Sequence, residues 1–240
     1  MTDRGIIFSA PMIKALLDGR KTQTRRLAWR LTTHQGRYCE APTVWQKAQP
    51  GDRLYARETW ADVNTENGPA LLYRADQHYH FCVNDAYPVE YDRYPKCQFS
   101  MWCGDLLRGE PDHAWRPSIH MPRWASRLTL VVTEARRQRL QEISEGDALA
   151  EGIYRQNPSP EEIAAGDCTE DDFVFLAPGT RQGYGPRPED PQWGPTAALA
   201  YRCLWDSLHG AGAWARNEEV VAIAFTVHLA NIDRLGEEAA

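Results

Sequence analysis

Gly5-Ile6-Ile7-Phe8-Ser9, followed by Pro11 to Leu17 and then by Gly19-Arg20-Lys21-Thr22-Gln23-Thr24-Arg25-Arg26, is the stretch on which the fold turns. The first five residues form a short apolar strand. Ser9 is placed to cap a helix that starts near Pro11, where the missing N–H would have no partner anyway, and Met12, Ala15 and Leu16 share one side of it. Gly19 stops that helix, because glycine adopts the left-handed conformation of a C-terminal cap without a Cβ penalty. The polar, β-prone run from Arg20 to Arg26 leaves directly from this stop.

Beyond it, Pro50-Gly51-Asp52 marks a turn, and Arg53 to Trp60 reads as a strand with Leu54, Ala56, Glu58 and Trp60 on one face. Residues 61–115 lack a sustained period and read as a loop-rich insertion. Arg116 to Trp124 is a proline-bounded loop leading into a strand from Ser126 to Thr133, and Arg136 to Leu140 extends or pairs with it. Ser144 caps a helix running through Glu151 to Gly152. Residues 154–195 carry seven prolines and five glycines and read as a second loop-rich insertion. Thr196 caps a helix bearing Leu199, Tyr201, Leu204, Trp205 and Leu208, and Val220 to Leu229 is a closing strand. The expected fold is α+β, one domain over residues 1–240, with a sheet curled into a small barrel and helices at its flanks.

Composition limits the function classes. A chain of 240 residues with 42% hydrophobic and 25% charged content is neither disordered nor fibrous in character. Pro11 and Lys14 interrupt its apolar N-terminal stretch, and no run of eighteen apolar residues occurs, so neither a membrane span nor a signal peptide is expected and the chain reads as cytoplasmic. Six cysteines are too few for a disulfide scaffold and should be mostly reduced thiols. The net charge of −6 hides an uneven layout: residues 1–60 carry 11 Lys/Arg against 5 Asp/Glu and residues 116–140 carry 6 against 1, whereas 141–240 carry 6 against 18. Should the two basic segments meet, they would make a positive surface fit for nucleic acid on an acidic protein. Solvated charge spread over all faces is the alternative.

Five motifs resemble those of ASCH domain proteins, and among them the long phage and prophage members. They are the Gly19-Arg20-Lys21-Thr22-Gln23-Thr24-Arg25-Arg26 run after a helix, Pro50 to Tyr55 with Arg57-Glu58-Thr59-Trp60, Arg116 to Trp124, Leu140 to Ile153, and Leu204 to Gly210. The resemblance covers both ends of the core and excludes the two insertions. It implies a PUA-like fold, with a cleft that binds RNA or a nucleoside. One branch of the family removes the acetyl group from N(4)-acetylcytidine, and its catalytic Lys, Thr and acid fall on Lys21, Thr24 and Glu151. That branch is much shorter than this chain.

The chemistry is coherent on the residues themselves. A Thr hydroxyl attacks only when a base removes its proton, and a Lys serves as that base when burial or nearby cations depress its pKa. Arg20, Arg25 and Arg26 supply the cations, and Glu151 would orient the Lys or pass the proton to the leaving amine. Residues 21 and 24 face opposite sides of an ideal strand, so the pair converges only if the chain bends just after Gly19. The competing reading makes Lys21 and Arg25 solvated strand charges and Glu151 a helix-end residue. Glu58 reads as a buried acid paired with an arginine or as a second cleft carboxylate, the former favoured. Arg20, Arg25, Arg26, Arg57, Glu58, Trp60, His120, Arg123 and Trp124 are candidates for binding nucleic acid or substrate, by stacking a base and holding its phosphate, against plain core and rim packing.

His78, His80 and Cys82 alternate, and Cys97, Cys103 and His113 follow, but no Cys-x-x-Cys knuckle accompanies them; no metal and no cofactor are expected. On the resemblance, the first expectation is a hydrolase of an amide-type bond on a modified cytosine, acting on a nucleoside or a single-stranded nucleic acid. A non-catalytic RNA or modified-DNA reader using the same cleft is the second, and a phage accessory protein with partner-binding insertions the third.

Overall fold

The computed structural model describes residues 1–34, 37–82, 94, 97–109, 115–165, 174–179 and 193–235, and shows a mixed α+β chain, mostly strands in several sheets with few helices. In chain order the elements are β1 (Asp3–Ile7), α1 (Ala10–Leu17), β2 (Gln23–Leu27), β3 (Trp29–His34), β4 (Arg37–Pro42), β5 (Arg53–Arg57), β6 (Trp60–Thr65), β7 (Gly68–Tyr73), β8 (Tyr79–Phe81) and β9 (Met101–Trp102). They continue with α2 (Cys103–Leu107), β10 (Thr129–Arg139), α3 (Glu145–Ala150), β11 (Tyr154–Gln156), α4 (Pro160–Ala164), β12 (Val174–Leu176), β13 (Trp193–Gly194), α5 (Ala197–His209) and β14 (Glu219–His228). Among the described residues no sheet closes on itself, so the expected barrel is not seen as a closed structure. No helix among them is long and apolar enough to cross a membrane.

The chain divides into two compact units. The first comprises Met1, Ala15–Asp52 and Val131–Val227. Its β14 pairs antiparallel with β2, placing Ile223 across from Thr24 and Ala222 across from Arg25. Val220 to Ile223 are all buried, a continuous apolar run covered on both faces. Helix α5 buries Ala197, Ala200, Tyr201, Leu204 and Trp205, the i, i+3, i+4 stripe of an amphipathic helix. Its first turn is capped by Thr196 Oγ1, which accepts from Leu199 N at 3.2 Å, and by the Glu145 carboxylate, which accepts from Ala197 N at 2.7 Å. β3 and β4 form a hairpin that leaves Leu31 and Tyr38 exposed.

The second unit comprises Thr2–Lys14, Arg53–Leu130 and His228–Ala240. Here β1 pairs parallel with β5 in a register that sets Gly5 opposite Tyr55. A Cβ on Gly5 would lie 2.8 Å from the Arg57 side chain and 2.9 Å from the Tyr55 ring, which explains a glycine in a strand. The faces assigned to residues 53–60 agree with the structure: Leu54, Ala56, Glu58 and Trp60 are all buried, although the strand breaks at Glu58 and restarts as β6.

Residues 61–115 differ from the irregular loop expected of them. Strands β8-β7-β6-β9 form a four-stranded sheet in that order. One of its faces packs Ala61, Val63, Ala70 and Leu72 with Leu106 of α2; the other packs Trp60, Leu71 and Tyr73 with Met121 and Ala125. Because β7 is buried on both faces, its sequence is an apolar run without alternation. Residues 154–195 likewise contain strands: β11, β12 and β13 form a small antiparallel sheet.

Candidate functional site

The end of α1 sets up the site in the first unit. Gly19 takes φ +70°, Gly19 N donates to Leu16 O at 3.0 Å and Arg20 N to Ala15 O at 2.9 Å. These are the two bonds of a Schellman cap, and they reverse the chain so that it leaves the helix extended. Lys21 then forms an isolated antiparallel bridge with Glu151, and Thr22 N donates to Ala150 O at 2.8 Å. Glu151 arrives from the opposite direction as the C-cap of α3, whose N-terminus is held by Ser144 Oγ accepting from Asp147 N at 3.1 Å. Gly152 follows at φ +98°, and a Cβ there would stand 3.4 Å from Lys21 Cβ and 3.3 Å from Ala15 Cβ. The backbone there favours glycine, and a Cβ would also crowd Pro178 at 3.2 Å and Ala15 at 3.3 Å.

The two residues, 130 apart in sequence, meet through their side chains. Lys21 Nζ donates to Glu151 Oε2 at 2.8 Å and to the Glu151 carbonyl at 2.9 Å. Arg25 Nη1 donates to Glu151 Oε1 at 3.0 Å, and Arg25 Nη2 lies 3.0 Å from Asp147 Oδ2. Asp147 Oδ1 accepts in turn from Arg136 Nη2 at 2.6 Å. With its amide oriented toward Arg25, Gln23 Oε1 accepts from Arg25 Nη1 at 2.7 Å. The Arg25 guanidinium sits 5.7 Å from the centre of the Tyr201 ring. The result is a buried charge ladder, Lys21–Glu151–Arg25–Asp147, with Arg136 at its wet end. The Lys21 and Arg25 side chains are 1% and 0% exposed.

Burial pushes the Lys21 amine below the usual lysine range; Glu151 opposes that shift, and the Arg26 and Arg25 charges reinforce it. Asp147 moves the other way. Burial raises its pKa, but the Arg136 hydrogen bond and the charges of Arg25 and Arg136 outweigh burial and hold it at about 2. A carboxyl depressed in the folded state stabilises the fold above its ordinary value of 3.8, and that contribution is lost as the pH falls toward about 2. Urea midpoints measured from pH 5 down to pH 2 should therefore drop across the lower part of this range, and Asp147→Asn should flatten the drop.

The other residues proposed around Lys21 fall as follows. Thr24 is 4% exposed and lies within regular β2, where alternation carries it to the face opposite Gln23 and Arg25. The reversal after Gly19 brings Lys21 to Glu151 but leaves Lys21 on the Arg25 side, so the expected convergence of Lys21 with Thr24 is absent from this geometry. Arg25 is not the phosphate ligand expected of it, because Glu151 and Asp147 already neutralise it in the interior. Arg26 has its guanidinium 5.9 Å from the Trp45 ring centre. Arg20 bonds Asp18 at 2.7 Å and the Gly152 carbonyl at 3.3 Å, and lies over Tyr154. Asp147 and Tyr201 were not singled out in the sequence; Asp147 stands inside the quoted motif as the third residue of a capped helix, where an acid reads simply as a capping group.

The remaining candidates belong to the second unit. Glu58 is ion-paired: Arg127 Nε donates to Oε1 at 2.8 Å and Nη2 to Oε2 at 3.0 Å. Burial raises the Glu58 carboxyl, opposed by Arg127. Arg127, also missed, bonds both oxygens of Asp76 at 2.8 and 2.9 Å and lies 4.2 Å over the Tyr73 ring. Trp60 is a core residue, 1% exposed, edge-on to Trp124 at 5.6 Å, so its ring face is not open for a base. Arg57 is a strut to the Met121 and Ile119 carbonyls. Arg123 is held by Asp3 at 2.7 Å and Asp233 at 2.5 Å. His120 is exposed on a short turn, and Trp124 is half-buried. No group of three or more His, Cys, Asp or Glu among the described residues could hold a metal; His113 lies outside them.

Comparison with family models, with curated proteins and with solved structures found no match in any of the three.

Proposed function

We propose that this chain is a nucleoside- or nucleic-acid-binding protein of the ASCH type, built on a PUA-like core, and that it hydrolyses an amide-type bond on a modified cytosine such as N(4)-acetylcytidine. One observation carries the reading: Lys21 and Glu151, the base and the acid of that reaction, are hydrogen-bonded at 2.8 Å in a buried, charge-balanced cluster. Once unprotonated, the Lys21 amine takes the proton of the attacking hydroxyl and returns it to the exocyclic nitrogen of the leaving cytosine, while Glu151 fixes the amine's position; the acyl ester formed on a threonine hydroxyl is then cleaved by water to release the acid. Thr24 is the nucleophile that the resemblance implies; because Thr24 and Lys21 lie on opposite sides of β2 in this geometry, that attack requires the two to converge when substrate binds.

The face that Thr24 occupies favours a second reading, a non-catalytic reader of modified RNA or DNA. Incubation with a panel of N(4)-acylated cytidines, read by mass spectrometry, separates the two. Hydrolysis predicts free cytidine and the released acid; the reader predicts binding with the substrate's mass unchanged. Thr24→Ala completes the test: near-total loss of product assigns Thr24 as nucleophile, whereas retained turnover assigns the attack to water held by Lys21.

A further inference from the structure

In the second unit, a cavity of about 350 Å³ opens between Trp124, Tyr94, Tyr73, Arg127 and the segment from Leu229 to Arg234. We propose that it is a nucleobase slot, a binding site independent of the Lys21 cluster. Its size lies at the lower end of the range for small-molecule sites, roughly 300–1,000 Å³, and suits one planar heterocycle with its sugar. Its walls are aromatic: Tyr94 stands edge-on to Trp124 with ring centres 5.8 Å apart, and Trp124 is itself braced edge-on by Trp60, so the rings are fixed before a ligand arrives.

The polar lining is equally preorganised. Arg127 has five N–H groups, of which Glu58 and Asp76 take four, leaving one on Nη1 for a ligand. That guanidinium cannot swing, because two carboxylates hold it flat on Tyr73. Asn231 Nδ2 donates to the Arg123, Trp124 and Ser126 carbonyls and its Oδ1 accepts from Asp233 N, which fixes the rim. Ser126 Oγ donates to backbone as well. Aromatic walls with a fixed Arg127 donor, and with His80 and Arg234 also on the lining, match a planar heterocycle carrying ring or exocyclic acceptors, as nucleobases do; an acyl chain would leave the arginine unsatisfied. A free nucleoside, a mononucleotide and a base of a single strand share this chemistry.

Quenching of tryptophan fluorescence and calorimetry should show saturable binding of cytidine, uridine or guanosine, of their 5′-monophosphates, or of a single-stranded oligonucleotide; the tightest of the three identifies the source. Trp124→Ala should weaken that binding by about tenfold or more, the loss of one stacked base. Because Trp124 also packs the core, Leu229→Trp is the decisive variant. Leu229 lines the cavity yet is 68% exposed, so a larger ring there blocks the slot without disturbing the interior. Its Tm should match the wild type while nucleoside binding falls at least about tenfold; Trp29→Ala, on β3 in the first unit, should leave binding unchanged. Absence of binding by all three probes at millimolar concentration, or binding that Leu229→Trp leaves intact, overturns the proposal. Deacylation by the Lys21 cluster is read separately, by product mass, so either claim can fail alone.

Discussion

Replacing Glu151 with alanine is expected to destabilise the fold by about 3–5 kcal/mol, because removing one partner of a buried ion pair leaves the others uncompensated. Glu151 accepts from Lys21 and Arg25, whose side chains are 1% and 0% exposed. Without it, Arg25 keeps Asp147, but Lys21 loses its carboxylate partner and keeps the carbonyl of residue 151. Urea denaturation should show the loss as a lower midpoint with an unchanged slope. Lys21→Met should cost less: Glu151 keeps Arg25, the methionine fills most of the lysine's volume, and one desolvated charge is gone. This asymmetry between Glu151→Ala and Lys21→Met separates a cluster arranged around the carboxylate from two unrelated surface charges, for which both costs would stay below about 1 kcal/mol.

The second large effect follows from the proposed hydrolysis. Lys21→Arg keeps the positive charge and the capacity to bond Glu151, but a guanidinium does not give up its proton near neutral pH. Loss of a general base lowers turnover by roughly 10²–10⁴, so kcat/KM for deacylation should fall by about that factor while the fold is kept. The wild-type rate should rise with pH through the pKa of the Lys21 amine, which burial places below the ordinary lysine value of 10.5. Below that pKa the amine is protonated and the rate is lost. The Lys21→Arg protein should lack this limb altogether.

The meeting of Lys21 with Glu151 was legible because a helix stop, a Lys-bearing strand and a capped helix ending in Glu-Gly each carry local signals, and the resemblance aligned them. The rest of the ladder was not. Asp147 reads as a capping acid whether or not an arginine lies beside it, and Arg25 reads as a solvated charge on a polar strand; only the pairing of β2 with β14 and the packing of α3 reveal both as interior. The strand face of Glu58 and Trp60 was readable from alternation, and the same alternation marks Trp60 as core rather than as a stacking platform. In residues 61–115 the buried strand β7 offered no alternation, and β8 and β9 are only three and two residues long, so a four-stranded sheet looked like loop. Tyr73, Tyr94 and Arg127, which build the aromatic slot, lie far enough apart in sequence that no spacing rule joins them.

The most direct test is to incubate N(4)-acetylcytidine side by side with wild-type and Lys21→Arg protein at one pH above neutrality and follow both by mass spectrometry. Accumulation of cytidine and acetate with the wild type and none above background with Lys21→Arg is the expected result. Equal product from both proteins, or none from the wild type while the nucleoside is bound, would contradict the assignment of Lys21 and Glu151 to hydrolysis and leave the cluster a purely structural one.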